Sequence, residues 1–148
     1  MLSADYLKDK VFSDREALWT VQLTQPKQNQ LVLVAEFDGV FCGFICAFGA
    51  NHPTFGTIID NLHVKLANKG QGTGSRLLAA AASWALENYS AHDLYLEVLA
   101  CNPKAMGFYQ AKGAKNIATQ YWHTPCDNQA KEYVFSWGSA DNLLRGLA

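Results

Sequence analysis

Three glycines alternate in KGQGTG (69–74), and SRLLAAAASWALENY (75–89) follows at once. Glycine weakens a helix interior by roughly 0.5–1 kcal/mol relative to alanine. One kind of structure therefore ends here and another begins. Leu78, Ala81, Ala82, Ala85 and Leu86 recur at helical spacing, which predicts a helix from about Gly74 to Tyr89 with one apolar stripe. TIIDNLHV (57–64), just upstream, reads as a strand. Strand, glycine loop, helix is an anion-binding arrangement. The first helical amides lack internal partners, the helix dipole is positive at that end, and glycines let an anion approach without a Cβ in the way.

Two common phosphate loops fail against these residues. A P-loop needs Lys-Ser or Lys-Thr after its glycines, and none follows Gly74. A dinucleotide fingerprint starting at Gly70 needs a glycine where Ser75 stands. It also needs an acid ending a second strand, whereas Asp93 begins one. A nucleotide-binding regulatory domain would rest on the glycine loop alone.

The remaining chain frames a mixed sheet. Residues 3–24 read as helix, with Ser13 and Glu16 at capping-box spacing and Pro26 as a stop. LVLVAEF (31–37) and VFCGFICAF (40–48) flank Asp38-Gly39, a strong hairpin signal. Residues 49–55 read as a loop. DLYLEVL (93–99) is a strand. Asn102-Pro103 opens a short helix as N-cap and first residue, and Lys112-Gly113 closes it. Two strands follow near 115–123 and 131–137. A hairpin together with a β-α-β crossover implies a mixed sheet with helices packed on it, of class α/β (α+β).

The 148 residues fit one domain, 1–148. A formal net charge of -1 and no basic run argue against a nucleic-acid partner. No apolar run approaches the roughly 20 residues of a membrane helix, and MLSADYLKDK lacks the apolar core of a signal peptide. Cys42, Cys46, Cys101 and Cys126 form no Cys-x-x-Cys pair, so free thiols and a cytoplasmic location are expected. His123-x-x-Cys126 has no second pair at zinc spacing, and no metal is expected. Cys101 has no histidine at a spacing that argues for a dyad.

KGQGTG before a helix, then a strand, then Asn-x-x-Ala-x-x-Phe-Tyr (102–109), resembles the GNAT N-acetyltransferase superfamily. Its acyl-CoA motif runs Gln/Arg-x-x-Gly-x-Gly/Ala. Lys69 takes the first position, a departure that keeps the charge of the arginine form, and Gly72 and Gly74 follow. LHV (62–64) resembles the family's fourth strand and VFCGFI its third, and the resemblance covers about residues 30–137.

The resemblance implies a mostly antiparallel central sheet flanked by helices around a β-α-β acyl-CoA-binding core. It implies acetyl-CoA as cosubstrate, with its pyrophosphate on the amides of Lys69, Gly70, Gln71, Gly72, Thr73, Gly74 and Ser75. The pantetheine arm would run between splayed strands 57–64 and 93–99, along Leu62, His63 and Val64. Asn102, Ala105, Phe108 and Tyr109 would line its far side. Taken without the resemblance, Asn102 reads as a cap, Tyr109 as a packed aromatic and His63 as a satisfied, partly buried histidine.

The implied reaction is direct acetyl transfer to a primary amine of a small molecule or peptide. Tyr109 is the candidate acid for the leaving thiolate, and the amide of Val64, at a family β-bulge, the candidate oxyanion donor. Many relatives carry Glu six residues before the position of Val64; here Ile58 stands there. Asp60, Glu97 or a water chain would replace it as base. A non-catalytic acyl-CoA-binding or assembly module is the alternative, favoured by Ile58. Set against the family's usual order, residues 1–30 read helical and the first strand is not found, which would leave 31–37 at a sheet edge. A start inside a longer gene, a homodimer supplying the edge, or a natural short form would each account for that.

Overall fold

The computed structural model describes residues 29–70, 72–123 and 129–147. The helices expected over 3–24, together with Gln71 and Cys126, lie outside the described residues. The elements run β1 (Gln30–Phe37), β2 (Val40–His52), β3 (Gly56–Val64), a 3-10 turn (Leu66–Asn68), α1 (Thr73–Asn88), β4 (Asp93–Leu99), α2 (Pro103–Ala111), β5 (Lys115–His123), β6 (Gln129–Ser139) and α3 (Ala140–Leu147). The six strands form one sheet in the order β1-β2-β3-β4-β6-β5. All pairs are antiparallel except β3 with β4, which the α1 crossover makes parallel. This is the mixed, mostly antiparallel sheet expected.

Local sequence explains the main elements. Asp38 and Gly39 both take positive φ, 51° and 79°, the pattern of a type I′ hairpin turn. Asn102 caps α2 by accepting the Ala105 N–H at 3.2 Å, with Pro103 at its first turn. Gly113 closes that helix at φ 98°. β2 runs on to His52 instead of ending at Phe48. Its far end still pairs with β3, His52 opposite Gly56, so cross-strand bonding holds residues that turn chemistry alone would free.

The core lies on one face of the sheet. Leu31, Leu33, Ile45, Ile59, Leu94, Leu96 and Phe135 point to it, and α1 covers them with Leu77, Leu78, Ala81, Trp84 and Ala85. The buried part of α1 is wider than the stripe read from spacing, because α3 packs on the helix as well. α3 lies beyond the last expected strand and is not among the expected elements. Leu143, Leu144 and Leu147 are its apolar stripe, and Asp141 and Arg145 pair at 2.7 Å across one turn. The other face carries a smaller cluster of Ile58, Tyr95 and Val134, with Phe48, Phe55 and Ala118 against it. No described helix of this chain is long and apolar enough to cross a membrane. Cys42, Cys46 and Cys101 are free thiols.

Leu143 is fully buried, while Leu144 beside it is only partly so. Leu143→Ala should therefore lower the unfolding free energy by about 2–5 kcal/mol, and Leu144→Ala by clearly less. Urea titration of both variants checks this.

Candidate active site

The two parallel strands separate almost as soon as they meet. β3 and β4 pair only over Thr57–Ile59 with Leu94–Leu96. On its other side β3 stays paired with β2 as far as Val64, but the register slips between Cys46 and Ala47. Asn61 faces Cys46 and Ile59 faces Ala47, so Asp60 is the extra residue of a β-bulge. The bulge expected at Val64 therefore sits four residues earlier. An extra residue bends the strand that carries it, which turns the end of β3 away from β4.

That bend frees backbone groups. Lys65 donates its N–H to the Cys42 carbonyl at 2.8 Å, which makes this a hydrogen-bonded antiparallel pair. Such pairs alternate along a ladder. Leu62 and Val64, paired with Ile45 and Gly43, then turn their N–H and C=O groups away from β2 and toward the side β4 has left.

A cleft of about 530 Å³ opens on that side, lined by Leu62, His63 and Val64, by Lys69, Gly70 and Gly72 to Ser75, by the α2 residues Lys104, Ala105, Phe108 and Tyr109, and by Lys112 at the C-cap of α2. Of the residues singled out for binding, twelve are brought together here. Asn102 is not among them: its side-chain oxygen caps α2. His63 is exposed rather than partly buried, its ring 5.9 Å from that of Phe44.

The glycines of the loop divide their roles. Gly70 and Gly72 hold φ 84° and 80°, and a Cβ at either would meet open space. They serve the left-handed backbone that turns the chain into α1. Gly74 has no such φ. A Cβ there would stand 3.3 Å from Phe108 Cζ and 3.6 Å from Val64 Cγ2, so glycine at 74 lets the helix start close against the cleft wall. The first helical bond runs from Arg76 N–H to Gly72 O, 3.0 Å, which leaves the amides of Thr73, Gly74 and Ser75 without an intrahelical acceptor. No side chain caps this end and no acid lies in its first turn. Lys69 departs from the expected set, since its N–H bonds to Leu66 O at 3.3 Å.

Spacing could have found two more cleft residues. Lys104, Phe108 and Lys112 recur every four residues and so share one face of α2. Lys112 Nζ lies 5.4 Å from the centre of the Phe108 ring. With Lys69 these lysines give the cleft three cations, and among the described residues no acid lines it. Tyr109 packs edge-on against Phe108 and Trp137, and burial raises its phenol above the usual tyrosine pKa.

Asp60 and Glu97 do not line the cleft. Both are exposed, and both charges act on Tyr95 in the cluster on the opposite face. The Tyr95 phenol is raised chiefly by burial and further by Glu97 and Asp60, against a hydrogen bond from Asn51 at 2.8 Å. Ile58 is buried in the same cluster, 5% exposed.

The Tyr109 shift has a stability consequence. Below its unfolded pKa near 10, both states hold the phenol proton. Above it, the unfolded chain releases that proton first, so stability falls as pH rises, by up to about 1.4 kcal/mol per unit for one group. Urea unfolding between about pH 9 and about pH 11 should show a shallower loss in Tyr109→Phe than in wild type.

The chain is similar to known acetyltransferases. Bovine (Bos taurus) thialysine N-epsilon-acetyltransferase is 35% identical over 66 residues, which is 44% of this chain and 38% of that protein's length. A Bacillus anthracis str. Ames protein assigned as a streptothricin acetyltransferase, solved with acetyl coenzyme A, superimposes with a TM-score of 0.65 at 23% identity, over 76% of this chain and 64% of its own. Arabidopsis thaliana Naa50, solved with the bisubstrate analogue CoA-Ac-MVNAL, gives a TM-score of 0.58 at 23% identity, over 71% and 70%. The model of the Acetyltransferase (GNAT) family matches residues 2–114, more than half of the sequence. The cleft between β3, the glycine loop and α2 thus belongs to a member of the GNAT acetyltransferase family.

Proposed function

We propose that this chain, read as one domain over 1–148, transfers an acetyl group from acetyl-CoA directly to a primary amine of a small molecule or peptide. One observation carries the reading: the cleft joins free strand amides, an uncapped helix N-terminus, three lysines and a partly buried phenol, all facing one volume. An extended thioester arm with a polyanionic end matches that order of groups.

In this reading the anionic end of CoA lies against Gly70, Gly72, Thr73, Gly74 and Ser75, where unpaired amides and the helix dipole favour negative charge. The pantetheine arm takes the place beside β3 that β4 has vacated. Its amides bond to the backbone of Leu62 and Val64 as an added strand would. Ala105 and Phe108 close the far wall.

A neutral amine then attacks the thioester carbon. The carbon–nitrogen bond forms, and the carbonyl oxygen takes the negative charge. The Val64 amide, directed into the cleft, donates to that oxygen. The carbon–sulfur bond breaks as the Tyr109 phenol gives its proton to the departing sulfur. A raised pKa keeps this phenol protonated at neutral pH, so a proton is always available. The proton lost by the amine passes to a carboxylate, with Asp60 at the bulge and Glu97 just past the last parallel pair as candidates. The acceptor would approach from their face of the sheet.

Calorimetric titration tests the binding half. Acetyl-CoA and CoA should both bind and ATP should bind far more weakly; failure of both CoA forms to bind would refute the reading. Release of CoA thiol tests the chemistry, with thialysine, a streptothricin and the peptide MVNAL as acceptors. With whichever acceptor reacts, Tyr109→Phe should lose roughly ten- to a thousandfold in kcat and keep its affinity for CoA. A wild-type rate in that variant would exclude Tyr109 as the acid.

A further inference from the structure

The cleft holds a proton donor and three cations, while Asp60 and Glu97 stand outside it. Among its described lining residues the titratable side chains are His63, Lys69, Lys104, Tyr109 and Lys112. The lysines carry ammonium groups, and burial keeps the Tyr109 phenol protonated. A neutral imidazole differs from both, because its unprotonated ring nitrogen has a lone pair that can take up a proton.

The position of His63 suits that capacity. It lies between Leu62 and Val64, whose backbone groups face the gap. Side chains alternate along a strand. Val64 points to the α1 side, its Cγ2 only 3.6 Å from where a Cβ at Gly74 would stand, so His63 leaves β3 on the other face. Its partner Phe44 shares that face of β2 with Phe48 of the Ile58, Tyr95 and Val134 cluster, whereas Ile45 and Ala47 enter the core. Hydrogen-bonded antiparallel partners hold their Cα atoms about 5.5 Å apart. The His63 and Phe44 ring centres are 5.9 Å apart, so the two side chains rise side by side. The imidazole therefore does not lean toward β2 and away from the opening.

We propose that His63 is a catalytic residue of the acetyl transfer, the first acceptor of the proton that the attacking amine gives up. This rests on the acetyl-transfer reading and deepens it by placing a base inside the cleft. With the thioester carbonyl at the Val64 amide, the neighbouring side chain on β3 stands on the face from which the acceptor comes. The amine lone pair forms the bond to carbon. An N–H bond then breaks, its electron pair stays on nitrogen, and the proton passes to the free ring nitrogen of His63. The imidazolium is exposed and hands the proton on to water or to Asp60, which restores the neutral ring.

The surrounding charges frame this step. On β3 itself, Asp60 lies at the bulge on the same face, where its charge acts on Tyr95, and the exposed Lys65 follows two residues on. From β2 the neutral Phe44 and the Cys46 thiol flank the ring, and Val34 of β1 stands behind Phe44. From β4 Tyr95 and Glu97 belong to the same face. Lys69, Lys104, Lys112 and the Tyr109 phenol share the cleft with it. Carboxylates thus lie on the side to which the proton leaves, and the cations on the side that takes the polyanionic donor.

The test measures kcat/KM for the acceptor at saturating acetyl-CoA, using whichever of thialysine, a streptothricin or the peptide MVNAL reacts. Wild type, His63→Gln and His63→Ala are compared at each pH. The acceptor's own ionisation cancels in the ratio of variant to wild type. At about pH 8 that ratio should be down by roughly a hundredfold or more. It should climb toward one as pH falls through the imidazole range, about 8 to 5, because wild type there loses its base to protonation and the variants have none to lose. Affinity for CoA, read by calorimetry, should be kept in both variants. Free imidazole should restore turnover to His63→Ala in proportion to its neutral form and leave wild type unchanged. A ratio that is flat with pH, a wild-type rate in His63→Gln, or a loss confined to CoA affinity would overturn the inference. A wild-type chain inert toward every acceptor would overturn the acetyl-transfer reading and this inference together, whereas active wild type with a flat ratio overturns only the inference.

Discussion

Three residue pairs hold β3 to β4, and the rest of the site depends on their being so few. A parallel ladder carried to the end of β3 would have consumed the amides and carbonyls of Leu62 and Val64. The bulge at Asp60 prevents that by bending one strand while its neighbour β2 stays paired to the end. The sheet remains continuous through β2 on one side and β6 on the other. A gap can therefore exist in the middle of the sheet without loss of the fold. The gap leaves unpaired backbone groups, and such groups are stable only with partners. In the proposed function the pantetheine arm supplies them as an added strand would.

The second constraint is how α1 begins. The chain must leave β3, turn, and enter the helix with its first amides facing the gap. Gly70 and Gly72 make the turn because their φ values lie where side chains are strained. Gly74 instead lets Phe108 of α2 approach, which joins the loop to the wall carrying Tyr109. Losing either kind of glycine would spoil the site in a different way. A Cβ at 72 would strain the turn, whereas a Cβ at 74 would press on Phe108 and Val64. The fully buried Leu77 and Leu78 anchor the helix behind the loop, so its N-terminus is held rather than left to settle around an anion.

How much of this was legible in the sequence follows from the range of the interactions. Short-range signals were read well: Asp38-Gly39 gave the hairpin, Asn102-Pro103 the cap, and KGQGTG the loop and helix start. β4 and β5 have the bounds expected. What failed depends on partners distant in the chain. The bulge lies at Asp60 because of its register with Cys46 and Ala47, and no local pattern in TIIDNLHV reveals it. β2 continues to His52 because β3 pairs with it there. α3 had a readable leucine stripe that was passed over after 137. Asn102 had two readings, and its side chain satisfies the bland one. Lys104 and Lys112 were within reach of helical spacing, since they share a face with Phe108.

The charges divide between the two faces, and the division bears on mechanism. Among the described residues Lys69, Lys104 and Lys112 line the cleft without an acid, while Asp60, Glu97 and Glu132 lie about Tyr95 and Gln120 on the other face. A net charge of -1 hides this separation completely. A polyanionic donor is drawn to one side, and a cationic amine to the other. The two can meet only where the sheet is open, at the gap past Ile59 and Leu96. Tyr109 stands on the cationic side of that gap, where a thiolate would leave. Glu97 stands on the anionic side, where an ammonium would lose its proton. In the proposed reaction the opening would keep the acid Tyr109 on the cleft side and the candidate bases on the other face.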